Sequence, residues 1–308
     1  MFGFREKIQT EYKRDRSFFW FRITENTDGS YNIAVNSHLL SCIKFHFPEL
    51  EDASPTKWDK NSRYDYFDLW IPASNADLID LSCIKRWAEF AGNRCLWITP
   101  SQEMLLHFHP DALDYCIAGD FNFDFTTGQR TILGDAEYKV KYGNISDEQK
   151  KECFAILQKS IIKLADLLPI KKAGFSRYSN LIFSSIPAET SKNNSFIQDL
   201  VYAASVNYDS AGTIIPTLNI SKPQMKSLSR EEKISAWKSI YETPANIDIN
   251  LSSISGSTIV IIDDLYQSGT TMLAYADFLK QHGAGSIFGL SCVKSLRDSD
   301  NLANGGTV

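Results

Sequence analysis

The sequence has no cysteine pair spaced C-x-x-C: Cys42, Cys83, Cys95, Cys116, Cys153 and Cys292 are scattered along its 308 residues. That scatter excludes the usual zinc ribbon and fits small core thiols in a reducing compartment. No run is apolar enough to cross a bilayer, and Met1 to Lys13 alternates charge with apolar residues instead of forming an export signal. A cytoplasmic location is the expectation. Positive charge is not in excess either: the net charge is -5, which argues against a nucleic-acid coat or an anionic-membrane binder. There is no Walker A motif, no G-x-G-x-x-G and no nucleophile triad, so P-loop kinase, dinucleotide dehydrogenase and hydrolase readings lose their basis. Repeats and low-complexity tracts are absent too.

What is present is a chain long enough for two ordinary domains with real cores. Ser17 to Glu25 and Ser30 to Asn36 read as strands around the turn at Thr27-Asp28-Gly29, and Tyr64 to Ile71 as another. Leu78, Leu81, Ile84, Trp87 and Ala88 have helical spacing, with Gly92 placed to close the helix and a strand following at Cys95 to Ile98. No motif in this part names a chemistry. The aromatic run Phe18 to Phe21 reads as core or an interface, not as a base-stacking platform. The alternation around Asp120 and Asp124 reads as a solvent-facing strand, and His107 and His109 as surface residues, not a metal site with Asp111 and Asp114.

From Thr131 onward strand and helix alternate. Ser146 and Gln149 form a capping box before a stripe of Phe154, Leu157, Ile161, Leu164 and Leu168. Leu181 to Ile186 is an apolar strand, Ser195 to Gln198 a second capping box, and Thr213 to Ile215 a further strand. Pro216 to Asn250 is polar, without a strong core signal. Thr258 to Ile262, Gly269 to His282 and Ser286 to Val293 then read as strand, helix and strand. This predicts an α/β fold, a parallel sheet covered by helices, over 131–308, with an α+β domain over 1–130.

One segment carries chemistry: the apolar strand ends at Asp263-Asp264, and Leu265, Tyr266, Gln267, Ser268, Gly269, Thr270 and Thr271 follow, opening an amphipathic helix. A helix N-terminus offers free N–H groups and positive dipole to a phosphate. Gly269 permits close backbone approach, while Ser268, Thr270 and Thr271 add hydroxyl donors. The two carboxylates are acceptors suited to ribose hydroxyls.

This order of residues resembles the phosphoribosyl-pyrophosphate (PRPP) signature of type I phosphoribosyltransferases. The resemblance implies that Asp263 and Asp264 are the catalytic acids holding the ribose 2′- and 3′-hydroxyls. Tyr266 to Thr271 would wrap the 5′-phosphate. The diphosphate would lie on the loop after Ile186, at Pro187, Ala188 and Lys192, and Mg²⁺ would accompany PRPP, with no metal held by protein ligands alone. Within the superfamily the ComF-type proteins look most similar, through Lys141-Tyr142, Ser195 to Gln198, Ser221 to Gln224 and Leu228 to Glu232, so that the match spans about 131–294. Two departures stand out. The diphosphate loop carries Lys192 where relatives are arginine-rich, and Gln267 stands where purine-converting relatives place an acidic base, a role an amide cannot fill. The implied function is phosphoribosyl transfer from PRPP to an unidentified acceptor, with release of pyrophosphate. The alternative is a non-catalytic sensor of PRPP or a nucleotide. A nucleic-acid role in DNA uptake or defence rests on family analogy alone, and homo-oligomerisation is left open.

Overall fold

The computed structural model describes residues 4–11, 19–99, 102–124, 126–170, 180–190, 195–225 and 228–295. The chain divides into two compact units, Met1–Trp97 and Ile98–Val308.

The first unit contains β1 (Phe4–Glu11), β2 (Trp20–Asn26), β3 (Tyr31–Asn36), α1 (Leu40–His46), α2 (Glu49–Ala53), β4 (Asp59–Lys60), β5 (Tyr66–Ile71), α3 (Leu81–Asn93) and β6 (Leu96–Trp97). Strands β1-β2-β3-β5-β4 form an antiparallel sheet. Alternation puts Phe21, Ile23, Ile33, Val35, Leu69 and Ile71 in the core, and α3 packs on β1 and β2. Phe19 is core as expected, against Trp87 and Trp97; Phe18 lies outside the described residues. Two expectations shift at α3. It starts at Leu81 because Asp80 caps it, accepting from the Cys83 N–H at 2.9 Å, so Leu78 is left exposed in a preceding 3-10 turn. Gly92 is buried inside the helix and does not close it.

The second unit continues with α4 (Gln102–Leu105), β7 (Tyr115–Phe121), α5 (Ile132–Tyr142), α6 (Asp147–Ala165), β8 (Leu181–Ser185), β9 (Ala188–Glu189), α7 (Ser195–Ser205), β10 (Gly212–Ile214), β11 (Thr217–Leu218), α8 (Arg230–Tyr241), β12 (Ile247–Asp248), β13 (Thr258–Tyr266), α9 (Thr270–Gln281) and β14 (Ile287–Lys294). Its main sheet runs β10-β8-β13-β14-β7, each neighbouring pair parallel. Helices α5, α6 and α7 pack on one face, α9 on the other, and α8 on α9. The α/β class with a helix-covered parallel sheet is thus as expected. A small sheet, β12-β11-β9, sits beside it.

The units part after Trp97, earlier than the boundary expected near residue 130. The strand responsible is β7, every residue of which is buried except Asp120. It pairs along β14 from Tyr115 to Phe121, so it is a sheet strand of the second unit and not the solvent-facing strand expected around Asp120. Asp124 instead closes a turn, its Oδ1 accepting from the N–H groups of Thr126 and Thr127 at 2.7 and 3.0 Å.

The Ser146–Gln149 capping box is present in full, and Leu157, Ile161 and Leu164 are buried by the helix it starts. The side chain of Ser195, expected to head a similar box, lies outside the described residues. The polar stretch Pro216 to Asn250 does contribute core: α8 begins at a capping box of Ser229 and Glu232 and buries Ile234, Trp237, Ile240 and Tyr241. Its apolar residues keep helical spacing, but charged residues between them dilute the pattern.

Candidate functional site

The chain leaves β8 for β10 on one side, through α7, and leaves β13 for β14 on the other, through α9. Between β8 and β13 the strand order therefore reverses, and the crevice at their C-terminal ends is where open α/β sheets bind ligands. Pairing of β13 with β8 ends at Ile262 opposite Ser185. The strand nevertheless runs on to Tyr266 along β14, longer than the expected Thr258–Ile262. Asp263 and Asp264 thus stand just past the end of β8, held by β14.

The two acids meet different surroundings. Asp263 lines a small pocket of about 90 Å³ open to solvent, together with Leu265, Tyr266, Gln267, Thr271 and Trp237. Asp264 pairs through Oδ2 with the ammonium of Lys141 on α5, which also reaches Glu137 Oε1 at 2.8 Å. The Asp264 N–H donates to Asp263 Oδ1 at 2.9 Å. Burial, reinforced by the Asp264 carboxylate, pushes the Asp263 carboxyl up to about 8. For Lys141, burial opposes the charge, but the Asp264 and Glu137 carboxylates outweigh it and hold the ammonium above its usual value. Neither Lys141 nor Glu137 was assigned to the site from sequence, because the contact joins distant segments.

After Tyr266 the chain turns into α9. Gly269 has φ +85°, and a Cβ there would fall 2.1 Å from Tyr266 Oη, so both conformation and space demand glycine. Thr270 begins the helix, and Gly269, Thr271 and Met272 around its start line the pocket. The hydroxyls divide. Thr270 is buried and bonds Ser268 at 2.9 Å, whereas Ser268 and Thr271 line the pocket beside Gln267. Thr271, Ser268 and the backbone, more than Thr270, are placed at the pocket.

Of the expected diphosphate residues, Pro187 is buried, Ala188 lies in β9 paired with Thr217, and Lys192 lies outside the described residues. Cations near the pocket come from elsewhere. Lys233 on α8 lines it, and Lys222 sits over the Trp237 ring at 5.1 Å. His107 and His109 follow α4 and are not on a strand; the His109 N–H donates to Asp277 Oδ1 at 2.8 Å. Among the described residues no group of three or more His, Cys, Asp or Glu side chains could hold a metal ion, and no helix is long and apolar enough to cross a membrane.

A family model, that of the phosphoribosyl transferase domain, matches residues 210–295, which include β13, the Asp263–Thr271 segment and α9. No curated protein matches. Among solved structures, a hypoxanthine phosphoribosyltransferase from Staphylococcus aureus is similar at 16% identity and a TM-score of 0.30, over 47% of this chain and 64% of that one. A hypoxanthine-guanine phosphoribosyltransferase from Bacillus anthracis is similar at 16% identity and a TM-score of 0.28, over 47% and 73%. A glutamine PRPP amidotransferase from B. subtilis is similar at 9% identity and a TM-score of 0.32, over 89% and 48%. The chain thus spans a little under two thirds of the length of the S. aureus enzyme and about half that of the amidotransferase.

Proposed function

We propose that the second unit is a type I phosphoribosyltransferase-like domain that binds PRPP and transfers its phosphoribosyl group to an unidentified acceptor. The observation that carries this reading is one juxtaposition at the switch point: a carboxylate pair on β13, a glycine-turned helix N-terminus six residues on, and a pocket lined by Asp263 of that pair and by Gly269 and Thr271 of the turn. Asp263 and the free side of Asp264 accept the ribose hydroxyls. The backbone of Gln267 to Thr271, with the Thr271 hydroxyl, takes the 5′-phosphate, and the loop after Ile186 takes the diphosphate. Transfer breaks the bond from ribose C1 to the diphosphate oxygen and forms one from C1 to the acceptor. Carboxylate oxygens at the pocket wall suit a hard cation. With no protein cluster able to hold one alone among the described residues, Mg²⁺ would rest on the oxygens of PRPP and neutralise charge on the leaving diphosphate.

A second reading, a sensor that binds PRPP or a nucleotide without turnover, is favoured by Gln267, which lines the pocket and cannot take a proton from an acceptor nitrogen. The ComF-type likeness belongs here too. Its matching stretches fall on α5, the start of α7 and the cap of α8, and they suggest a setting in DNA uptake or defence. Calorimetric titration with PRPP, with and without Mg²⁺, tests the common part, and absence of binding in both would sink it. Pyrophosphate release in an acceptor screen separates transferase from sensor. Salt-dependent binding of single-stranded DNA tests the nucleic-acid setting.

A further inference from the structure

We infer that Lys141 is a positioning residue of the candidate site, fixing the orientation and charge of Asp264; this rests on the PRPP reading above. The ammonium takes one carboxylate oxygen, Oδ2, of Asp264, which leaves Oδ1 for a ligand hydroxyl. Lys141 is itself held. Glu137, one helical turn back, grips it at 2.8 Å, and the Glu137 side chain is only 7% exposed, so the ammonium has little freedom to leave. Helix α5 is anchored in turn: Thr131 caps it, accepting from the Gly134 N–H at 3.0 Å, and donates to the Phe121 carbonyl at the end of β7. A Cβ on Gly134 would fall 2.0 Å from the Asn122 carbonyl oxygen, so the first turn of α5 lies directly on that segment. A path of contacts therefore runs from the end of β7 through α5 to Asp264.

The chemistry requires such a cation. Two carboxylates, Glu137 and Asp264, meet at the Lys141 ammonium beside the Asp263 carboxyl, and without Lys141 they would repel one another. Mutual repulsion would be relieved by protonation or by rotation of Asp264 toward solvent, and either removes an acceptor from the ribose position. The Asp264 backbone N–H separately holds Asp263 Oδ1. The phosphate end, at Gln267 to Thr271, is held by the Gly269 turn and does not depend on Lys141.

The test is titration of the full-length protein with PRPP and, separately, with inorganic phosphate. Lys141→Met is expected to weaken PRPP binding at least tenfold while leaving phosphate affinity within about twofold, and Lys141→Arg to restore most of the PRPP affinity. Should Lys141→Met fail to fold, Lys141→Gln with Glu137→Gln removes the cation and one buried acid together, and carries the same expectation. PRPP binding unchanged in a folded variant lacking the cation overturns the proposal, as does equal loss of PRPP and phosphate, which marks a merely structural role. If the unaltered protein binds no PRPP, the functional reading fails first, and the assignment of Lys141 falls with it.

Discussion

Asp263 and Asp264 are neighbours in sequence, yet one faces the pocket beside α8 and the other is tied to α5, so substituting them should have opposite effects on stability. For an acid whose folded-state value is raised, the native chain holds its proton more tightly than the unfolded chain between about pH 4 and pH 8. Stability is then fullest below the unfolded value and falls as pH rises through the folded one. Asp263→Asn removes that penalty. We expect it to melt higher than the unaltered protein at pH 8, the difference vanishing near pH 4, while PRPP affinity is lost. Asp264→Asn strips Lys141 of its ligand-side partner and should melt lower at pH 7. Thermal scans across pH read both; a lower melting temperature for Asp263→Asn at pH 8 would count against the assignment of its surroundings. At Gly269 the demand is steric. Gly269→Ala meets a left-handed φ and the Tyr266 ring together, and should cost about 1–3 kcal/mol in denaturant unfolding, with phosphate affinity reduced because the loop must shift.

Among elements, α8 joins core and site: Trp237 is buried in one and lines the other. Its start depends on the reciprocal bonds of Ser229 and Glu232, at 3.3 Å to the Glu232 N–H and 2.8 Å from the Ser229 N–H. Ser229→Ala removes one of them and should destabilise by about 1 kcal/mol. The effect should appear as faster hydrogen exchange in 230–241, with β13 unaffected. Uniform exchange across the unit would show that α8 does not open separately. The Ser229–Glu232 capping box was missed in the sequence, although its two residues stand only three apart. What concealed the core role of α8 was the charge around its apolar stripe, since Lys233 and Lys238 flank residues that pack on α9. At β13 the reverse holds: its apolar run marked the strand, but only pairing with β14 carried it past the acids to Tyr266.

On the scale of the whole molecule, β7 decides where the second unit begins. A chain starting at Ile98 keeps the strand that covers the edge of β14, and is expected to fold, melt cooperatively and bind PRPP as the full chain does. A chain starting at Thr131 lacks β7 and bares a buried, apolar strand edge, so it should aggregate or remain unfolded. Circular dichroism and gel filtration of the two fragments distinguish these outcomes. A monomeric, folded fragment from Thr131 would show that β7 is dispensable.

The local features were settled by the sequence alone. A strand of β-branched residues, two acids, a glycine that lets the backbone come close, and an amphipathic helix after it are all properties of neighbours along the chain, and each has a short-range physical cause. So is the capping box of α6. The partnership of Lys141 with Asp264, the placing of β7 beside β14, and the inward turn of Thr270 were decided only by the tertiary structure. Each depends on which distant segment comes to lie against which. Residue spacing records the period of a helix or a strand, but the side chain that will neutralise a buried carboxylate is chosen by the packing of one element on another.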